Sequence, residues 1–231
     1  MRAGRMTAGL MVLVALLATA CSSEPGSGGG PSGTGGPEIT ELERVQVREY
    51  EGKDLSSITD FRENSITGPQ DVDRDEYRLK VTGLVTTPLE LSYADVLGDR
   101  ERFKKVVTLN CVEGWSVDIL WEGIRLGDLL DAAGARTDAN TLIFKAVDGY
   151  SSSLPLDYVR DRDILLAYKM NDVELPAERG FPFQVVAEDK FGYKWVKWVV
   201  EIEVSDDAEY RGYWESRGFS NSADLDADAY E

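Results

Sequence analysis

One cysteine in a polar loop is the residue of this chain whose type and surroundings could do the most unusual chemistry. Cys111 lies in the stretch TLNCVEGWS between Asn110 and Glu113, and the only other cysteine of the 231 residues is Cys21. The apolar residues before Cys111 indicate a strand that ends in a polar loop carrying the thiol. A buried, inert cysteine is the commoner case in proteins, but these polar neighbours argue against it.

Several familiar catalytic arrangements are excluded by composition. The chain has no histidine, so it holds neither a Ser-His-Asp triad, nor a Cys-His pair, nor a histidine-based zinc site. It also lacks a C-x-x-C pair and a glycine-rich phosphate loop at a helix start. One thiolate anchors a metal only when something else supplies the other ligands. A prebuilt cofactor with its own sulfur ligands would meet that condition.

The first 20 residues have the pattern of an export signal. Two arginines precede an apolar stretch over residues 6–17, which is shorter than the roughly 20 residues that a membrane-spanning helix needs. Small residues then lead to Cys21, as in the lipobox of bacterial lipoproteins, although Ala18 stands where leucine is usual. We therefore expect a signal peptide over residues 1–20 and a lipidated Cys21. The alternative is ordinary cleavage before Cys21, which would then be an incidental free thiol.

A linker and a single domain are expected after the signal. Residues 21–37 are rich in glycine, serine and proline, which is typical of a flexible tether. Residues 38–231 are enough for one domain with a substantial core. If Cys21 carries a lipid, Cys111 has no disulfide partner in an oxidising compartment, where an exposed thiol is a liability. We therefore expect Cys111 to be either buried or occupied by a ligand.

The charge of the chain limits its partners. A net charge of −17 argues against nucleic acid, whose phosphates would be repelled, and against broad electrostatic binding to an anionic membrane. Solubility alone is the other explanation of this acidity.

Hydrophobic patterning predicts short strands and short helices in alternation. Two helices carry clear end signals: one over 93–97 with Ser92 as its cap, and one over 126–133 followed by glycine. The aromatic tail after Asp206 is expected to pack on the domain. The other predicted elements are strands over 77–85, 141–147, 183–187 and 196–204, a helix over 155–159, and a hairpin over 164–175 that turns at Asn171-Asp172.

Motifs in a fixed order resemble the oxidoreductase molybdopterin-binding domain of the sulfite oxidase family, which is also found in bacterial periplasmic methionine-sulfoxide reductase subunits. The resemblance covers roughly residues 77–221 and implies an α+β fold of mixed β-sheets with short helices. The matching stretches are TLNCVEGWS, WEG at 121–123, the helix at 126–130, DGYS at 148–151, LAY at 166–168, LP at 175–176, KFGYK at 190–194, KW at 197–198, GYWE at 212–215 and GFSN at 218–221.

The resemblance implies a role for the lone cysteine. In this family the cysteine at the position of Cys111 binds molybdenum through its thiolate, and a pyranopterin dithiolene supplies further sulfur. Cys111 is therefore expected to be both the metal ligand and the catalytic residue. Asn110 and Glu113 are candidates to orient its loop, with ordinary loop hydrogen bonding as the alternative.

The resemblance also implies residues that bind the rest of the cofactor. Lys194 and Lys197 match a segment near the cofactor phosphate, and Gly192 would let the backbone approach closely. Solvated strand ends are the alternative for either lysine. Gln184 occupies a position where many members carry a cofactor-binding arginine, and Arg179 could restore that cation.

A weaker match falls near the start of the domain. Asn64 lies in a segment, Arg62 to Ser65, that faintly resembles one reaching the cofactor in larger members.

The activity implied by the resemblance is two-electron oxygen-atom transfer by a molybdenum–molybdopterin oxidoreductase. Oxidation of a sulfite-like substrate and reduction of a sulfoxide-like substrate both remain open. We expect an exported lipoprotein on the outer face of the cell membrane, with a membrane haem protein or a small cytochrome as electron partner. The alternative is a binding or structural lipoprotein that has lost the cofactor. The glutamine at 184 and the absence of histidine favour that alternative, whereas Cys111 and Lys197 oppose it.

Overall fold

The computed structural model describes residues 37–231. The predicted signal peptide, the lipidation of Cys21 and all of the linker except Pro37 fall outside the described residues. Within residues 37–231, none of the helices combines the length and the apolar character needed to cross a bilayer. The architecture consists of β-sheets with short helices, which confirms the predicted α+β class.

The described residues contain short helices and strands. The α-helices are α1 (Ile39–Leu42), α2 (Tyr93–Leu97), α3 (Leu126–Ala133) and α4 (Leu156–Asp161). Single 3-10 turns lie at Ala177–Arg179, Gly192–Lys194 and Glu215–Arg217. The strands are β1 (Glu49–Tyr50), β2 (Lys53–Asp54), β3 (Arg78–Gly83), β4 (Leu89–Ser92), β5 (Phe103–Asn110), β6 (Ser116–Arg125), β7 (Thr141–Ala146), β8 (Ser151–Pro155), β9 (Leu165–Met170), β10 (Val173–Glu174), β11 (Gln184–Val186) and β12 (Val199–Ser205).

One sheet carries the cysteine hairpin. Its order is β10-β9-β6-β5, and β11 also pairs with β9. All of these pairs are antiparallel, and β5 and β6 pair from Phe103↔Gly123 to Asn110↔Ser116. The register between β6 and β9 shifts at Gly123, where a Cβ atom would lie 2.4 Å from the Leu166 carbonyl oxygen. Glycine is therefore required for this close approach of two backbones.

The second sheet has the order β4-β3-β12-β7-β8. It is mixed, because β12 runs parallel to β3 and antiparallel to β7. Apolar side chains of both sheets and of α3 form one buried cluster that includes Trp121, Phe144 and Ile202. The two sheets thus build the core, and the loops at their ends are left to form the site.

Sequence patterns predicted the helices with clear end signals most accurately. Both α2 and α3 have the predicted bounds. The Ser92 side chain accepts a hydrogen bond from the Asp95 N–H in a capping box, and Gly134 ends α3 in the left-handed conformation. The last strand begins at Val199 and not at residue 196, because Trp198 adopts φ +49° and turns the chain. Helix α1 and strands β1, β2, β4, β6 and β8 were not predicted.

Candidate active site

The cysteine lies at the tip of the β5–β6 hairpin. Its backbone N–H donates to the Trp115 carbonyl at 2.9 Å, and the Gly114 N–H donates to the Cys111 carbonyl at 3.0 Å. Gly114 takes φ +86°, a conformation that favours glycine. Eight paired positions of the hairpin therefore hold a tight turn that presents the thiol.

A cleft of about 480 Å³ opens beside this turn, a volume within the roughly 300–1,000 Å³ range of small-molecule and cofactor sites. Residues 61–66, which we call the strap, form one wall. The hairpin tip, the segments around residues 148, 178–184 and 192–198, and three rings of the C-terminal tail form the rest. Six of the residues predicted from the sequence line it together: Asn64, Cys111, Arg179, Gln184, Gly192 and Lys197.

The thiol of Cys111 is half-buried, and the structure gives it no disulfide partner among the described residues. The side-chain amide of Asn64 donates to its sulfur at 3.8 Å, a long contact within the range for sulfur acceptors. Burial raises the pKa of the Cys111 thiol, and the amide of Asn64 opposes that rise. The protein thus offers one soft sulfur ligand with a positioned donor beside it.

The ammonium of Lys197 also faces the cleft. It is paired with the carboxylate of Glu63 in the strap, and both side chains are mostly buried. Burial lowers the pKa of Lys197, while the Glu63 carboxylate opposes that shift. A buried ammonium needs an anionic partner. Glu63 fills that need here, and the phosphate of a cofactor is an alternative anion for the same position.

The guanidinium of Arg179 holds the strap and the residues just before it. It donates to the carbonyls of Ile58 and Phe61 at 2.9 and 2.6 Å and lies 4.0 Å from the centre of the Phe61 ring. Burial lowers the pKa of Arg179 to about 10. These contacts make Arg179 a support of the strap, so the cation predicted to replace the family arginine is already engaged with protein groups.

Lys194 and Asn110 do not line the cleft. The ammonium of Lys194 is fully buried against Glu215 at 2.7 Å and also donates to Asn221 at 3.1 Å. The side chain of Asn110 donates to the Thr108 carbonyl at 3.4 Å. Lys194 points away because the 3-10 turn at Gly192–Lys194 directs it towards the C-terminal tail.

Gln184 and Gly192 complete the predicted set. The Gln184 side chain is 3% exposed and lines the cleft, and it makes no hydrogen bond to any residue from 37 to 231. The amide lines the open cleft and is not engaged by protein groups, so it is available to hydrogen-bond a ligand bound there. Gly192 packs against the hairpin tip, where a Cβ atom would lie 3.4 Å from the Asn110 carbonyl oxygen.

Sequence reasoning assigned Glu113 as a candidate to orient the cysteine loop, but it did not assign the other carboxylates or the rings of the cleft to the site. Glu113 pairs with Arg62 at 3.6 Å, and the Phe61 and Trp115 rings are 6.0 Å apart. Three rings of the C-terminal tail, Trp214, Phe219 and Tyr230, also line it. The aromatic tail was predicted to pack on the domain, but its direction towards the cysteine depends on tertiary contacts.

The donor set fits a metal that arrives with most of its own ligands. Among residues 37–231, no three acidic, histidine or cysteine side chains are grouped to hold a metal ion. One thiol, one buried ammonium and the amide of Gln184 face the same cleft. These groups suit a cofactor that carries soft sulfur ligands, a phosphate and hydrogen-bonding ring atoms.

Comparison with known proteins agrees with this chemistry. The family model of the oxidoreductase molybdopterin-binding domain matches residues 66–214. A Bacillus subtilis (strain 168) protein called "Uncharacterized oxidoreductase YuiH" is 34% identical over 153 residues, which cover 66% of this chain and 76% of that protein. Mitochondrial sulfite oxidase of Rattus norvegicus is 34% identical over 202 residues, covering 72% of this chain and 36% of that protein.

A solved structure gives the same result for the fold. The sulfane dehydrogenase SoxCD from Paracoccus pantotrophus aligns with a TM-score of 0.59 and 26% identity. The alignment covers 62% of this chain and 41% of that one. The matched part of this chain therefore covers less than half of the rat enzyme and of the aligned SoxCD chain.

Proposed function

Because the chain belongs to the oxidoreductase molybdopterin-binding domain family, we propose that Cys111 is the protein ligand of its molybdenum–molybdopterin cofactor. The activity we propose is the transfer of an oxygen atom to or from a small substrate. The observation that carries this proposal is the Cys111 sulfur, which lies half-buried in the one cleft where the predicted cofactor residues meet.

The protein's part is to hold and orient the cofactor. When bound, the cofactor supplies two-electron redox chemistry at molybdenum. Cys111 provides a thiolate ligand, Asn64 a donor to its sulfur, and Lys197 a cation for the phosphate. Gln184 offers an amide for hydrogen bonding where many members have an arginine.

The charges of the cleft favour an uncharged substrate over an oxyanion. Four carboxylates line it, those of Glu63, Glu113, Asp148 and Glu178, against three cations. Each cation is engaged: Arg62 with Glu113, Arg179 with two carbonyls, and Lys197 with Glu63. An anion such as sulfite would meet no uncompensated cation, and the cofactor phosphate would add further negative charge. A sulfoxide, or the thioether related to it, meets no such barrier.

Metal analysis tests the cofactor assignment. Protein matured in a host that makes molybdopterin should contain about one molybdenum atom per chain, and Cys111→Ser should lose most of it because a hydroxyl is a poor ligand for a soft site. Cys21→Ser makes the same substitution at the other cysteine and should keep the metal. Equal molybdenum in Cys111→Ser and wild type would remove Cys111 as the ligand.

Export and anchoring form the second part of the proposal. The apolar stretch before Cys21 and the glycine-rich linker after it support a lipid-anchored protein outside the cytoplasm. Electrons would pass to or from a membrane haem protein or a small cytochrome. Incorporation of labelled palmitate into wild type but not into Cys21→Ser would support the anchor. Equal labelling of both would contradict it.

A cofactor-free binding lipoprotein on the same fold is the second candidate function. Gln184 in place of the family arginine favours it, because an amide supplies no charge for the phosphate. The metal analysis separates the two functions. Correctly matured protein without molybdenum would support the binding protein and remove the enzyme.

A further inference from the structure

Three aromatic rings of the C-terminal tail lie at the cleft. Trp214, Phe219 and Tyr230 all line it, with ring centres 5.1 Å apart for Trp214–Phe219 and 4.8 Å apart for Phe219–Tyr230. We call these three rings the aromatic rim. Trp214 is 36% exposed and Tyr230 is 63% exposed. The rim therefore presents apolar surface to solvent beside the thiol-containing cleft.

The exposed rings are held in place by backbone contacts. Phe219 and Tyr230 form an isolated antiparallel bridge, and the Ser220 N–H donates to the Ala229 carbonyl at 2.9 Å. The Glu231 N–H donates to the Gly218 carbonyl at 3.0 Å. Rings that are fixed yet exposed keep a hydrophobic driving force for contact with a ligand, at roughly 25 cal/mol per Å² of apolar surface.

The tail that carries the rim is fixed to the domain in turn. Glu215, directly after Trp214, makes the buried ion pair with Lys194 and accepts a hydrogen bond from Ser152. A Cβ atom at Gly212 would lie 2.2 Å from the Ser151 carbonyl oxygen, so the tail packs directly on β8. The rim is therefore a rigid surface with a fixed position relative to Cys111.

Most of the rim lies outside the family domain. The family model ends at residue 214, so Phe219 and Tyr230 follow the matched region and only Trp214 falls at its end. Phe219 belongs to the GFSN stretch that resembles the family, whereas Tyr230 lies beyond both the family model and that resemblance. The exposed ring of Tyr230 therefore needs its own explanation.

We propose that the aromatic rim is a binding subsite for the apolar arm of an uncharged organosulfur substrate, an aryl or long-alkyl sulfoxide or the corresponding thioether. This inference rests on the proposed function. The engaged cations of the cleft disfavour an anion, and the rim extends the cleft with apolar surface that can bury such an arm.

A simple reductant can supply the electrons that sulfoxide reduction at this site requires. Reduction of a sulfoxide breaks its sulfur–oxygen bond and takes two electrons and two protons, giving a thioether and water. A reduced viologen dye, which donates one electron per molecule, supplies the electrons as two equivalents.

The test compares two uncharged probes on molybdenum-loaded protein. Methyl phenyl sulfoxide carries an aryl arm, and dimethyl sulfoxide does not. Calorimetry should show that wild type binds the aryl probe at least tenfold more tightly. Tyr230→Ala or Trp214→Ala should reduce this preference by about tenfold, which corresponds to ~1.4 kcal/mol. Tyr230→Phe keeps the ring and should keep the preference.

A matched control lies on the same tail. Leu225 is 37% exposed and is not among the residues that line the cleft, so Leu225→Ala should bind both probes as wild type does. An unchanged preference in Tyr230→Ala and Trp214→Ala would overturn the proposal, as would a wild type that does not prefer the aryl probe.

The experiment distinguishes failure of the proposed subsite from failure of the proposed function. Loss of the aryl preference in rim variants that still contain molybdenum supports the subsite, and an unchanged preference in them overturns it alone. Absence of molybdenum from mature wild type overturns the proposed function. In that case the same calorimetry on the cofactor-free chain still decides whether the rim binds the aryl arm.

Discussion

At the scale of single residues, the thiol of Cys111 makes the most specific prediction. Burial raises its pKa above the ordinary value of 9.0, and Asn64 opposes the rise by donating to the sulfur. Because the thiolate is the reactive form, alkylation of the cofactor-free chain by iodoacetamide should accelerate with pH around a midpoint above 9.0. Asn64→Ala should move this midpoint higher, since the thiolate loses its donor.

The control for this experiment is Asn140→Ala, which removes a side-chain hydrogen bond to the Asp206 carbonyl remote from the cleft. It should leave the alkylation profile unchanged. A midpoint in Asn64→Ala equal to that of wild type would show that the amide does not act on the sulfur.

The pairing of Lys197 with Glu63 predicts how the cleft discriminates by charge. Glu63→Gln removes one carboxylate and leaves the Lys197 ammonium without its anionic partner. In the cofactor-free chain, sulfite should then bind to Glu63→Gln several-fold more tightly than to wild type, because a desolvated ion pair interacts strongly in a site of low polarity. Titration calorimetry with sulfite measures the change. Glu49→Gln, on exposed β1, is the matched control. Equal affinity for sulfite in wild type and Glu63→Gln would contradict the claim that the charges of the cleft disfavour an anion.

Residue patterns located the site correctly, but they were less accurate about which side chains line it. The motif around Cys111 and the local matches at Gln184, Gly192 and Lys197 all fall on the cleft. Lys194 is only three residues from Lys197, yet it points into the domain towards Glu215. The sequence favoured Lys197, which faces away from the apolar side of its predicted strand. It gave no sign that Lys194 points into the domain, because the partner of Lys194 comes from the C-terminal tail.

At the scale of elements, the strap is the part of the site that we expect to open most readily. Residues 61–72 form no helix or strand, and no backbone–backbone hydrogen bond joins them to any other described residue. The strap is attached by side chains, chiefly those of Arg179 and Lys197. Its amides should therefore exchange hydrogen much faster than those of β5 and β6.

The variant Arg179→Ala tests whether side chains hold the strap in place. Arg179→Ala loses two hydrogen bonds to buried or half-buried carbonyls, which should cost roughly 1–3 kcal/mol of stability and speed exchange over residues 58–66. Urea unfolding and hydrogen-exchange mass spectrometry measure the two effects. Arg160→Ala breaks only an exposed pair with Asp131 and should cost under about 1 kcal/mol. Similar results for both variants would contradict the assigned role of Arg179.

Elements with local end signals were predictable, and elements defined by pairing were not. Ser92 and Gly134 fix the ends of α2 and α3 through contacts within a few residues. Strand β6 carries glycine, charged and apolar residues without strict alternation. It lies between β5 and β9 in the sheet, and its second half is buried on both faces. Periodicity therefore gave no signal for the strand that follows the turn containing Cys111.

At the scale of the whole molecule, one buried ion pair joins the C-terminal tail to the domain. Lys194 and Glu215 are both almost fully buried, and the second carboxylate oxygen of Glu215 has no hydrogen-bond partner among the described residues. Lys194→Met should cost about 3–5 kcal/mol, because it leaves an uncompensated carboxylate in the interior. The double variant Lys194→Met/Glu215→Leu should recover most of that loss, as measured by urea unfolding.

A small effect of Lys194→Met, below about 1 kcal/mol, would show that the pair is solvated in solution and that the tail is more loosely attached. The aromatic rim would then lack the rigid base on which its proposed role depends. Lys190→Met is the matched control, because Lys190 pairs with the more exposed Asp224.

The fold class and the family could be predicted from the sequence, whereas the charge of the cleft could not. Ordered motifs from residue 77 to 221 identified the domain. The strap and the tail, which supply Glu63, Phe219 and Tyr230, flank the matched region at residues 66–214. Their approach to one cleft is a result of three-dimensional packing, and it is what turns a family assignment into a proposal about substrate.

The most direct test of the central claim is X-ray absorption at the molybdenum edge of the purified holoprotein. If the Cys111 sulfur binds the metal, wild type should show one more sulfur ligand per molybdenum than the residual fraction of Cys111→Ser that still contains the metal. An identical sulfur shell in the two proteins would show that the metal is held without Cys111, and the site described here would not be the catalytic centre.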